Sequence, residues 1–101
     1  TPEVMSEDSG FRLKILGTLN TVSTVQWYEF TAEPKAELVS EAHGSGSLES
    51  LTLCTGELTV IVGDETQKIC KGDTLRFRTD VAHRLKNEGK GKAHGFMVNL
   101  L

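Results

Sequence analysis

The sequence is poor in cysteine, carries no surplus of basic charge and has no long apolar run, and each shortage closes off a class of protein. Cys54 and Cys70 are its two cysteines. They are spaced neither as a metal ribbon nor as a disulfide framework, and both are expected to be reduced packing residues. A net charge of −3 leaves no basic face with which to grip a phosphate backbone. Lys86, Lys90 and Lys92 cluster in a glycine-rich turn and read as a solvated group. No apolar run approaches the roughly 18–20 residues that span a bilayer as a helix. No charged-then-apolar leader opens the chain, so a cytoplasmic protein is expected. Nothing resembles a phosphate loop, a Cys-x-x-Cys pair or a Ser-His-Asp set, and no catalytic residue is assigned.

What is present is an ordinary globular composition, with 38% hydrophobic and 25% charged residues over 101 positions. That suffices for one domain around one core. Residues 1–9 are polar and aperiodic and read as a disordered tail or linker remnant, with a folded domain over residues 10–101. The opening Thr1-Pro2 suggests a piece of a longer chain or a processed form.

Short strand patterns fill the domain. Phe11–Ile15 alternates apolar and basic residues, and a loop is expected over residues 17–23. Val25–Thr31 is β-branched and aromatic. Ala36–Ala42 is too short for an unsupported helix and is taken as a strand. Leu48–Thr55, Leu58–Val62, Gln67–Cys70, Thr74–Arg78, His83–Asn87 and Ala93–Leu101 follow, with a hairpin turn at Gly63-Asp64. Eight or so strands at this spacing, with no convincing helix, make an all-β sandwich or barrel.

Parity then singles out two residues. Side chains alternate sides along a strand, so Glu49 shares a face with Leu51 and Leu53, while His83 shares one with Leu85 and Asn87. If the leucines face the core, a carboxylate and an imidazole point inward with them. Each then needs a hydrogen-bond or metal partner, because desolvation without one costs kilocalories. They can partner each other or share a ligand. Trp27 reads as a core residue, with ligand stacking as the alternative.

The stretch from Glu41 to Asn87 resembles the two histidine-bearing motifs of the cupin superfamily. His43-Gly44-Ser45, three residues, Glu49, six residues and Gly56 follow the spacing of the first motif. Gly72, five residues, Arg78, Thr79, Asp80, two residues, His83, three residues and Asn87 follow the second. The departures are Glu37 at the leading glycine, Ser45 at the second histidine, Arg78 at the proline and Asp80 at the inner glycine. The resemblance implies a double-stranded β-helix, the antiparallel jelly-roll barrel.

It also implies a site. Carried over by position, the family's metal ligands become His43, Glu49 and His83, which can hold a divalent zinc, iron or nickel. Ser45 stands where a fourth ligand is lost, and a metal-free pocket is the alternative. A narrower resemblance is to the C-terminal sensor domain of bacterial regulators that carry an N-terminal helix-turn-helix of the xenobiotic-response-element type. It implies a homodimer and a small polar metabolite as effector, bound by His43, Ser45, Glu49 and His83 with Trp27 and Phe77 as wall. DNA would be read only by an N-terminal domain missing from this chain, and no membrane is involved. The alternatives are a stand-alone metal-dependent cupin enzyme of the dioxygenase or isomerase type, and a structural or carbohydrate-binding cupin.

Overall fold

Strand alternation and long-range pairing arrange the chain as two packed antiparallel sheets. The computed structural model describes residues 10–16, 25–42 and 44–100. The expected tail over residues 1–9, the loop over residues 17–23 and His43 lie outside the described residues. Nine strands occur among the described residues. β1 (Phe11–Leu16), β2 (Val25–Ala32), β9 (Ala93–Leu100), β4 (Leu48–Thr55) and β7 (Thr74–Arg78) form a five-stranded sheet in that order. β3 (Glu37–Ser40), β8 (His83–Lys86), β5 (Glu57–Val62) and β6 (Glu65–Cys70) form the four-stranded partner. The all-β jelly-roll expectation holds. No helix of the described residues is long and apolar enough to cross a membrane.

The core lies between the sheets and is built from alternate residues of each strand. Leu51 and Leu53 on β4, Leu58 and Val60 on β5, and Leu85 on β8 are buried there. Phe11 and Phe30 stack with centroids 5.6 Å apart and planes 14° from parallel. Each such side chain contributes about 2 kcal/mol by leaving water.

The hairpin forms as expected. Val62 opposes Glu65 across the two-residue loop Gly63-Asp64, and Gly63 takes a φ of 57°. Positive φ at the first loop residue alone is the pattern of a type II′ turn, whose twist suits the flanking strands. β6 begins two residues earlier than the sequence pattern suggests, because the turn carries the pairing through Glu65 and Thr66.

Two expectations are corrected. The sequence offers Phe11–Ile15 and Ala93–Leu101 as candidate edge strands for pairing with a second copy; β1 does lie at a sheet edge, but β9 lies inside its sheet, between β2 and β4. Cys70 is exposed on β6 rather than packed in the core, while Cys54 is half-buried; both are free thiols. β6 is itself a sheet edge, so only Ile69 among its residues reaches the core.

Candidate functional site

The loops that carry the sequence motifs are fastened to each other. Thr79 Oγ1 donates to Ser47 Oγ at 2.9 Å in the buried interior, and the Thr79 N–H donates to the Ser47 carbonyl. Asp80 accepts from Arg78 Nε at 2.6 Å and from the Gly46 N–H at 3.3 Å. The hydrogen bond from Arg78 holds the Asp80 carboxyl below its ordinary range. Arg78 and Asp80, the departures from the second motif, therefore close a surface ion pair that ties it to the loop before β4.

That tie positions β4 and β8 so that their inward residues meet. A cavity of about 150 Å³ lies between the sheets. Its polar wall comes from Gln26 and Tyr28 on β2, Glu49 on β4, Asn99 on β9, and Ser40 and His83 on the opposite sheet. Leu13, Leu38 and Met97 supply the apolar wall. Every one of these lies on the inward parity of its strand.

Glu49 is the chemical centre. It is 4% exposed and sits in the register between Phe77 on β7 and Asn99 on β9. Its Oε2 is buried with no hydrogen-bond partner among the described residues, and so is Asn99 Oδ1. Without a compensating donor, burial pushes the Glu49 carboxyl up from its ordinary 4.5 to about 8, since low dielectric disfavours the charged form. Burial also raises the Tyr28 phenol, and the Glu49 charge adds to that. Tyr28 in turn donates to Gln26 Oε1 at 2.8 Å.

His83 is also 4% exposed. Its Nδ1 lies 2.9 Å from the Val81 carbonyl oxygen. A carbonyl can only accept, so Nδ1 carries the proton in this bond. Phe77 meets the His83 ring edge-on, with centroids 6.0 Å apart.

The structure thus brings Glu49 and His83 into one cavity, with Phe77 behind them against the imidazole rather than on the cavity wall. Ser45 is exposed in the turn before β4, and His43 lies outside the described residues. Trp27 faces outward, 45% exposed, opposite Val98. It joins Val25, Leu48, Phe96 and Leu100 on the outer face of the five-stranded sheet, where β2, β9 and β4 place them side by side. Gln26, Tyr28, Ser40 and Asn99 went unread in the sequence. β2 and β9 carry apolar residues on both faces, so parity alone did not single out Gln26, Tyr28 or Asn99.

A metal needs more than this cavity supplies from the described residues. No group of three His, Cys, Asp or Glu side chains converges among them. Glu49 and His83 are two donors where a stable site takes three or four. The described residues do not by themselves fit a metal, and no step is routed through one.

The Cupin_2 family, described as a cupin domain, matches residues 28–99. No curated protein matches the chain in sequence. Among solved structures, the Cupin_2 domain of an XRE-family transcriptional regulator from Enterobacter cloacae superposes with a TM-score of 0.82 at 20% identity, over 90% of this chain and 96% of that one. An HTH_3-family transcriptional regulator from Vibrio cholerae superposes with a TM-score of 0.84 at 18% identity, over 96% of this chain. The match spans 55% of that regulator's length. A cupin-superfamily sugar phosphate isomerase from Silicibacter pomeroyi superposes at 0.73 with 21% identity, over 93% of this chain and 61% of that one. At these identities the likeness speaks for the fold.

Proposed function

The chain belongs to the Cupin_2 family, and on that premise we propose that it is the effector-binding and dimerising part of a bacterial transcriptional regulator. The observation that carries this reading is the cavity around Glu49, His83 and Asn99, where two buried oxygens have no donor among the described residues. Such a site is unfavourable when empty and is relieved by a ligand that brings the missing partners. The fold shared with regulators from Enterobacter cloacae and Vibrio cholerae supports the same reading.

In this account a small polar metabolite enters between the sheets and contacts residues of both. It biases the spacing of β4 and β9 against β3 and β8 by as much as its affinity differs between the two arrangements. The outer apolar face around Trp27, Phe96 and Leu100 is the proposed seat of a second copy, which would transmit that bias to the dimer. DNA contact falls to a helix-turn-helix domain, since the described residues contain strands and no α-helix.

The test is thermal stabilisation of the chain across a panel of small metabolites, with product analysis of any that bind. Saturable stabilisation without turnover is expected; sustained turnover by pure protein would overturn the reading. The isomerase-like neighbour keeps a metal-dependent enzyme as the competitor. That competitor requires stoichiometric metal in the purified protein and activity lost on chelation and in His83→Ala.

A further inference from the structure

The donor and acceptor groups of the cavity restrict what can occupy it. Glu49 Oε2 and Asn99 Oδ1 both lack a donor, and the two residues are direct cross-strand partners. Opposed side chains start about 5 Å apart at their Cβ atoms, so one small group can reach both oxygens. Among the described residues no lysine or arginine lines the cavity, and an entering anion would find no ion-pair partner of that kind among them beside the Glu49 carboxyl. Leu13, Leu38 and Met97 form an apolar wall suited to a short hydrocarbon. A cavity of about 150 Å³ matches the volume that holds a molecule the size of benzene.

We propose that the cavity takes a small alkylammonium compound, its N–H groups shared between Glu49 and Asn99 and its carbon chain against Leu13, Leu38 and Met97. The proposal rests on the effector-binding reading and narrows it: the ligand is a donor-rich cation rather than a simple organic acid. An ammonium carries three N–H donors and no acceptor, which complements two buried acceptors. The cation supplies the missing donors and favours the ionised form of Glu49, whose proton is released to solvent on binding; charge-assisted bonds of this kind are about twice as strong as neutral ones.

The experiment compares n-butylammonium, 1-butanol and butyrate on the folded chain near neutral pH, by calorimetry and thermal shift. The three share a carbon chain and differ in the charge and donors of the head group. Butylammonium should bind at least about tenfold more tightly than butanol, and butyrate should not bind. Glu49→Gln should reduce the preference to the level of butanol. Asn99→Leu should weaken butylammonium in the same direction, which keeps the test usable if one variant fails to fold by circular dichroism. Equal affinity for butanol and butylammonium would mean that Glu49 and Asn99 satisfy each other, and would overturn the proposal. Preference for butyrate would overturn it too, while leaving effector binding in place. Failure of the three probes together with a broad metabolite panel would remove the effector-binding reading itself.

Discussion

Glu49 on β4 and Asn99 on β9 face each other directly in the register, and each leaves one buried oxygen without a hydrogen-bond partner among the described residues. In a folded domain an unpartnered buried oxygen costs about 1–3 kcal/mol. The proposed ligand site rests on this cross-strand pair beside the cavity.

The pH dependence of stability should report on Glu49. The folded carboxyl keeps its proton up to about pH 8, while the unfolded one loses it near 4.5. Between these values the folded state binds more protons, so stability is fully present below the unfolded value and falls as pH rises. At about 1.4 kcal/mol per unit, the loss is on the order of 3–5 kcal/mol across that window. Glu49→Gln mimics the protonated side chain and has no proton to lose. Urea unfolding at a series of pH values should show a downward slope in the parent that is flattened in the variant, with Glu49→Gln the more stable of the two at pH 8.

How much of this was legible in the sequence follows from sidedness. On β4 and β8 one face is leucine and the other polar, so parity placed Glu49 and His83 inward correctly. β9 offers no such contrast. Its inward residues are Ala93, Gly95, Met97 and Asn99, and its outward ones include Phe96, Val98 and Leu100. With apolar residues on both faces and the bulkier ones outside, Asn99 gave no sign of burial. β2 hides its sidedness in the same way, because Trp27 and Tyr28 are adjacent aromatics on opposite faces. Sheet order was illegible for another reason: the pairing of β9 with β2 and β4 joins segments far apart in the chain.

Asn87 should be among the most sensitive positions outside the cavity. It is fully buried, and its Nδ2 donates to the Ala32 carbonyl at 2.9 Å and the Gly91 carbonyl at 2.8 Å. Its Oδ1 accepts from the Gly89 N–H at 2.9 Å. Leucine fills similar space but satisfies none of these groups. Asn87→Leu is expected to lower unfolding free energy by about 3 kcal/mol, measured by denaturant titration; a change within experimental error would refute the role.

Gly95 is held to glycine by proximity. A Cβ there would overlap the Thr52 carbonyl oxygen and come within 2.8 Å of the Phe30 ring, and Phe30 is its cross-strand partner. Gly95→Ala should destabilise the domain by at least about 2 kcal/mol through overpacking. A thermal melt equal to that of the parent would show that β9 can shift freely, contrary to this packing.

The outer face offers a test of assembly. Trp27 lies beside Val98, with Phe96, Leu48 and Leu100 exposed near it. A charge at its centre should block a face-to-face dimer, since burying an unpaired carboxylate is costly. Trp27→Glu is expected to be folded by circular dichroism and monomeric by light scattering, against a dimeric parent. A dimeric variant would move the interface elsewhere.

The most direct measurement is a crystal structure of the protein with a metabolite that stabilises it in solution. The account predicts that molecule between the sheets, with its donors on Glu49 and Asn99 and its apolar part against Leu13 and Met97. A molecule bound on the outer surface, with the Glu49 and Asn99 oxygens closed on each other, would contradict it.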